Sequence, residues 1–351
     1  MKKNITKIAV LALLVLTLTG CGQKDYLMDK KDKVITYEKT GQTLPNNILC
    51  KPTDKELYKV YEKNNDQLKV PMDKLPTCSN FKVSFKNSGS LWEGLFIRPL
   101  AYLIIKLGEI VNNYGVSVIL IGLAIRLLLL PVSIKNQAQA ENMKKINPEL
   151  QKLEKKYANQ TSNEAMMAKS QEMMMLYKKY NVSPFSSCLI SFIQLPLFLA
   201  FLQAINRIPV VFEDSLFGMY LGMTPYTGLK SGNYIYIILI VLIFLTTYLS
   251  FKKTLSSTGN KEQDQSMKTM FYMMLIMIVF TSFSLSTAIS LYWIATNGFI
   301  VIQNYIIKKI IEKKEENNDN RSRKQKKVSI KEKSERRRWS KWTKSLKKVK
   351  A

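Results

Sequence analysis

Tyr114-Gly-Val-Ser-Val-Ile-Leu-Ile-Gly-Leu-Ala-Ile-Arg126-Leu-Leu-Leu-Leu-Pro131 is a long apolar run broken by one charge. A run of this length reads as the main part of a transmembrane helix. An ionisable residue inside such a helix is costly and marks a functional site. Arginine does not give up its charge in a protein, so the Arg126 head group needs water, a carboxylate or backbone carbonyls. The later apolar runs hold no acidic residue to pair with it. A wet cavity within the membrane is the expected solution.

The rest of the composition fits a membrane protein. The 351 residues carry a formal net charge of +27 and no histidine. Without histidine, the commonest general base, zinc ligand and triad member are all missing. That weighs against an enzyme. The four cysteines (Cys21, Cys50, Cys78 and Cys188) form no close-spaced metal motif, and no phosphate-binding glycine loop is visible. No cofactor is expected. Nearly half the residues are hydrophobic, gathered into apolar blocks between very polar ones, a pattern of membrane helices with charged ends.

The chain starts with a basic stretch, Met1-Lys-Lys-Asn4, a short apolar core from Ile8 to Leu16, and then Leu18-Thr-Gly-Cys21. This is the layout of a secretory signal peptide, and its core is too short for a permanent span. The Leu-Thr-Gly-Cys ending resembles the bacterial lipobox. That resemblance implies removal of residues 1–20, acylation of Cys21 and an N-terminus tethered to the outer leaflet. Residues 21–90 are polar and rich in Lys and Asp, and read as a small extracytoplasmic segment. Cys50 and Cys78 fall within it, where disulfides are allowed. A Cys50–Cys78 bridge and two unpaired thiols are both compatible with the spacing.

Leu91 to Ile110 is apolar but contains Glu93, Arg98, Lys106 and Glu109, and Pro99 interrupts it. It reads as an amphipathic helix (91–110) on the outer surface. Five spans then follow: Tyr114 to Ile134, Phe185 to Ile208, Tyr234 to Phe251, Met267 to Phe283 and Thr287 to Ile307. Spans four and five are joined by a tight turn around Ser284 to Thr287. Loop charge fixes their direction. Lys135 to Lys179 contains nine lysines, the 252–268 loop and the chain beyond Lys308 are basic, and Pro209 to Asn233 is not. The 135–183 segment, the 252–268 loop and the C-terminus are therefore cytoplasmic. Five spans that start outside end inside, in agreement with the lipobox.

Within the cytoplasmic segment 135–183, two stretches rich in helix formers, Asn136 to Tyr157 and Glu164 to Tyr180, predict an antiparallel helical hairpin. Thr161-Ser-Asn163 supplies cap residues. Met143, Ile146, Leu150, Leu153 and Tyr157 keep one apolar face at helical spacing. The second arm carries Met166, Met167, Met173, Met174, Leu176 and Tyr177. These methionines serve either to glue the arms or to receive apolar segments, since the side chain adapts to varied partners. Asn147-Pro148 is expected to bend or restart the first arm.

Several stretches together resemble the YidC/Oxa/Alb family of membrane protein insertases, in its bacterial lipoprotein form without a large periplasmic domain. They are Ile125 to Pro131 with Lys135-Asn-Gln137, Asn147 to Leu153, Met175 to Pro184 leading to Cys188 and Gln194-Leu-Pro-Leu-Phe198, and Leu285 to Tyr305. They cover about 91–311. One departure is that Ser186-Ser187-Cys188 leads to Ile190, where the family often has Gly-Gly-Cys and a proline. Cys188 reads as structural.

The resemblance implies an all-α membrane protein, a five-transmembrane-helix insertase core (91–311) with a cytoplasmic helical hairpin. It implies a hydrophilic groove open to the cytoplasm and to lipid, with the family's first-span arginine at Arg126. Counted back from Lys135, Arg126 lies roughly 10–12 Å inside its span at 1.5 Å per residue. Gln194, Trp293, Asn297 and Gln303 are candidate groove residues, with helix–helix hydrogen bonding as the alternative for each. Thr246, Thr247, Ser250, Thr281 and Ser282 could add to the wet surface. Gly115 and Gly122 share Arg126's face and would leave room for water or a passenger. The implied function is insertion and folding of nascent membrane proteins, alone or with the Sec translocase.

A transporter or channel, with Arg126 binding an anion, is the competing class, but no inverted repeat or pair of broken helices supports it. A lipid scramblase is a weaker alternative. The basic cytoplasmic tail, 312–351, is expected to be disordered when free. Arg336, Arg337 and Arg338 oppose Trp339 and Trp342 at near-helical spacing, which suits either ribosomal RNA or the anionic inner leaflet.

Overall fold

The computed structural model describes residues 25–84, 88–160, 162–180, 182, 186–252 and 261–349, with only the backbone described at 140, 144, 186–195, 261–264, 267, 314–315, 318–319, 321–324, 326–331, 335 and 337–349. The signal peptide and Cys21 lie outside the described residues. Two units divide the chain, Met1–Val301 and Ile302–Ala351.

The first unit opens with a small cap. Isolated bridges Tyr26 to Pro45, Met28 to Val34 and Thr36 to Thr43 fold residues 26–45 back on themselves. Helix α1 (Lys55–Lys63) follows, its start fixed by the Asp54 carboxylate, which accepts from the backbone N–H groups of Glu56 and Leu57. Leu27, Leu44, Ile48, Leu57, Tyr61, Leu68, Met72 and Leu75 close a separate core under these elements. The polar 21–90 segment thus has a folded interior. Cys50 and Cys78 are joined by a disulfide with an S–S distance of 2.02 Å. The bridge closes a loop with a sequence separation of 28, worth about 3–4 kcal/mol on the chain-entropy account. Cys50→Ser with Cys78→Ser should lower the cap's resistance to protease by that amount. Non-reducing mass spectrometry of the wild-type chain should recover the linked peptides.

After a π-helical turn at Glu93–Ile97 comes helix α2 (Arg98–Val111). Pro99 does not interrupt it. It follows directly on the π-helical turn, where the regular ladder of helical hydrogen bonds is already interrupted. Nor does the helix keep all its charges on an outer surface: Arg98 is buried with Ala101, Ile104, Ile105 and Gly108. Asn112, in the left-handed region at φ 52°, ends α2. Asn113 then caps α3 (Tyr114–Leu128) by accepting from the Val116 N–H. The Ser117 hydroxyl, fully buried, donates to the Ile104 carbonyl at 2.6 Å and ties α2 to α3.

The expected straight span to Ile134 is broken. Helix α4 (Leu130–Tyr157) leaves α3 after one residue, Leu129, at an angle of 55°. Pro131 lacks an N–H and crowds the carbonyl four residues back, so the break falls just before it. Pro148, by contrast, neither ends nor restarts the arm, and α4 runs through it. Helix α5 (Asn163–Lys179) returns, capped by the Ser162 hydroxyl, which accepts from the Ala165 N–H. Met143, Ile146, Leu150 and Val182 form the hairpin core, with Met173, Leu176 and Tyr177 packed on it. Of the methionines on the second arm, only Met173 glues the arms. Met166, Met167, Met174 and Met175 are all more than half exposed.

Ion pairs add to the hairpin: Lys156 to Glu172 at 2.6 Å and Lys179 to Glu149 at 3.4 Å. Hydrogen bonds from Lys156 and then Tyr157 hold the Glu172 carboxyl below its ordinary range, and the Tyr180 hydroxyl does the same for Glu149. A lowered folded-state value means this support is complete above the unfolded carboxylate value of about 4.3 and is lost as pH falls through the folded one. Amide exchange in α5, corrected for intrinsic rate, should be faster at pH 3 than at pH 6.

Helix α6 (Ser186–Asn206) contains Pro196. A compact connecting stretch follows: α7 (Pro209–Glu213), a two-stranded hairpin of β1 (Ser215–Leu216) and β2 (Met219–Tyr220), and α8 (Pro225–Lys230). Helix α9 (Ile235–Lys252) is long and apolar enough on its own to cross a membrane. Helix α10 (Lys261–Ser282) starts before the expected Met267. Helix α11 (Thr287–Val349) continues without a break past 311. The tail backbone is therefore helical, where composition alone reads as disorder.

The cap docks on this connecting stretch through the main chain. The Leu49 N–H donates to the Arg207 carbonyl at 2.9 Å and the Thr224 N–H to the Thr40 carbonyl at 2.9 Å. The Thr53 N–H donates to the Glu213 carboxylate at 2.9 Å. Behind them lies a buried ionic network. Glu93 bridges Arg98 at 2.9 Å and Arg207 at 3.2 Å, and Arg207 also faces Asp25 at 3.8 Å.

Candidate functional site

Arg126 occupies the last turn of α3 and is 8% exposed. Leu127 and Leu128 after it are exposed, so the guanidinium points into the bundle while its neighbours face outward. Among the described residues no carboxylate lies within ion-pair distance of it. The depth counted back from Lys135 assumed one straight helix. The break at Leu129 removes that assumption, because Lys135 belongs to α4, on a different axis.

One turn before Arg126, Gly122 lets α11 approach. A Cβ there would stand 2.8 Å from the Tyr292 ring and 3.1 Å from the Thr296 methyl. A Cβ on Gly115 would meet Leu216 at 2.9 Å. The space expected at these glycines for water or a passenger is filled by protein. Tyr292 is the centre of the packing: Phe201 of α6 stacks on it with ring centres 4.0 Å apart, and Phe198 at 6.3 Å. Helices α3, α6 and α11 converge on this one ring, a role the sequence analysis did not assign. The signal available was Tyr292 and Thr296 four apart on one face of an apolar helix, opposite a glycine.

Trp293 and Asn297 sit on the adjacent face of α11 and are bonded to α9. The Trp293 indole N–H donates to the Thr247 hydroxyl at 2.8 Å. The Ser250 hydroxyl faces the Asn297 side-chain oxygen at 3.3 Å, and the Asn297 amide donates to the Trp293 carbonyl at 3.0 Å. Of the two readings of these residues, helix–helix bonding describes the geometry. No hydrogen bond or ion pair links either to Arg126 among the described residues. Thr246, Thr281 and Ser282 return their hydroxyls to carbonyls of their own helices.

Gln303 lies further along α11, in the second unit. The side chains of Gln194 and Cys188 lie outside the described residues, as do those of Arg337, Arg338, Trp339 and Trp342. Arg336 is exposed and pairs with Glu332 at 3.9 Å.

Helix α9 is long and apolar enough to cross a membrane, and α3 with the start of α4 passes as a bent pair. Arg126 is buried with no carboxylate within ion-pair distance among the described residues, and these are features of a helical membrane protein. The chain belongs to the 60Kd inner membrane protein family, which matches residues 106–315. Its relatives include a membrane protein insertase YidC of Oceanobacillus iheyensis, 33% identical over 64% of this chain and 86% of the relative. Another is a membrane protein insertase YidC of Alkalihalophilus pseudofirmus, 35% identical over 61% of this chain and 81% of the relative. A third is the membrane protein insertase MisCA of Bacillus subtilis, 32% identical over 67% and 86%. The YidC/Oxa/Alb resemblance is therefore upheld, and nothing in these relatives favours a transporter, channel or scramblase.

Proposed function

We propose that this chain is a membrane protein insertase and folding helper. Its five spans would be α3 with the start of α4, then α6, α9, α10 and the first part of α11, and the α4–α5 hairpin would project into the cytoplasm. The observation that carries the reading is Arg126, 8% exposed and without a carboxylate partner among the described residues. A permanent charge so placed draws acidic residues of a passenger more strongly than water would allow. A hydrated surface beside it lowers the cost of carrying polar backbone past lipid, several kcal/mol for each unsatisfied group. Transfer ends when the passenger's apolar helix partitions into the bilayer, without ATP and without a covalent step.

The remaining assignments belong to the same reading. Acylation of Cys21 anchors the cap to the outer leaflet. The basic tail docks on the ribosome through phosphate contacts, with the inner leaflet as its other target. The chain works alone or beside the Sec translocase. A photoreactive residue at position 126 should crosslink to a stalled nascent membrane protein. If adducts form only with this chain's own helices, the groove reading fails.

A further inference from the structure

The outer hairpin has an unusual tip. β1 and β2 pair Ser215 with Tyr220 and Leu216 with Met219, leaving Phe217-Gly218 as a two-residue turn. Both turn residues have positive φ, 53° and 76°. Such turns favour Asn-Gly, Asp-Gly or Gly-Gly, and a bulky residue in the left-handed region is an outlier. Phe217 gains little packing in return, because the residue is 71% exposed.

The hairpin is two-faced and fixed in place. Leu216 rests on Gly115 of α3 and Met219 is buried, while Tyr220 on the other face is 53% exposed. The Asn113 side-chain amide donates to the Ser215 carbonyl at 2.9 Å, and the Asp214 carboxylate accepts the Tyr114 N–H at 2.7 Å. The tip is thus held at the level where α3 begins. The two acids beside it accept from neutral donors, Glu213 from Thr53 and Asp214 from Tyr114, and keep their charge. Two further exposed rings, Tyr226 and Tyr234, lie at this end of the bundle, and Tyr234 immediately precedes α9 with its outward Ile237, Ile238, Val241 and Leu245.

We propose that Phe217, with Tyr220, inserts into the headgroup–acyl boundary of the outer leaflet, so that the hairpin sets the depth at which α3 starts. Aromatic side chains favour this zone, and contact outside the protein offsets the backbone strain. The proposal rests on the reading of α3 and α9 as spans. The test replaces Phe217 with p-benzoylphenylalanine in the full chain, reconstituted in phosphatidylglycerol–phosphatidylcholine vesicles and irradiated. Leu242 on α9 serves as a lipid-facing control and exposed Lys59 of the cap as a water-facing one. A phospholipid adduct at 217, with a yield within about threefold of that at 242 and well above that at 59, is the expected result. A protein adduct at 217, or a lipid yield no higher than at 59 while 242 still labels lipid, overturns the proposal and leaves the spans intact. Loss of the lipid adduct at 242 overturns the span reading and the proposal with it.

Discussion

Arg126→Ala should reduce insertion of passengers with acidic outer segments by at least about tenfold, while Arg126→Lys retains most of it. Two unit charges 4 Å apart attract by about 4 kcal/mol at an effective dielectric of 20, and each 1.4 kcal/mol is a factor of ten. Lysine keeps the charge but loses the planar fork, so the two variants separate charge from shape. Passengers without acidic residues in the transferred segment should be affected least. The measurement is protease protection of the outer segment in proteoliposomes. Equal insertion by the alanine variant would show that the charge is dispensable.

Arg207→Met should cost stability on the same scale as loss of the disulfide. Arg207 joins Glu93 at 3.2 Å and faces Asp25 at 3.8 Å, and its side chain is 8% exposed. Removing one partner from a buried pair strands the other, at a cost of about 3–5 kcal/mol. Glu93 keeps Arg98 at 2.9 Å, so the lower end, about 3 kcal/mol, is expected. Thermal melting should fall, and trypsin should cut the cap sooner. Adding Glu93→Gln should not recover the loss, because buried Arg98 then loses the Glu93 charge in turn. Unchanged melting of the single variant would mean that the network contributes nothing to stability.

Sequence patterns reach the helices more readily than their contacts. Apolar runs such as Ile235–Lys252 announce themselves by length, and the hairpin core of Met143, Ile146 and Leu150 follows the helical period. The cap has no such pattern. Leu27, Leu44, Leu57, Leu68 and Leu75 are scattered among lysines and aspartates and meet only through bridges and loops. Pro131 and Pro148 carry the same local penalty, yet one marks a 55° break and the other lies inside a continuous helix; surroundings distant in sequence decide between them.

At the candidate site, Arg126 stood out because charge in an apolar run is rare. Tyr292 did not, because an aromatic residue in an apolar helix is unremarkable until three helices are seen to meet on it. Gly115 and Gly122 read as room for water or a passenger, and nothing near them in sequence says that Leu216, Tyr292 and Thr296 fill it. For Trp293 and Asn297, sequence left open whether the polar groups meet a passenger or a neighbouring helix. The positions of Thr247 and Ser250 on α9 favour the neighbour, and nothing local to residues 293–297 encodes that.

The docking of the cap has a bearing on how the chain is put together. Thr53 finds Glu213 across a sequence separation of 160 residues. At the ordinary pace of synthesis, about 5–20 residues per second, roughly 10–30 s pass between the two leaving the ribosome. The leading portion is therefore made well before its seat. Its private cluster around Tyr61 and its Cys50–Cys78 link let it hold shape through that interval, and the later arrival of Arg207 and Glu213 locks a finished piece into place.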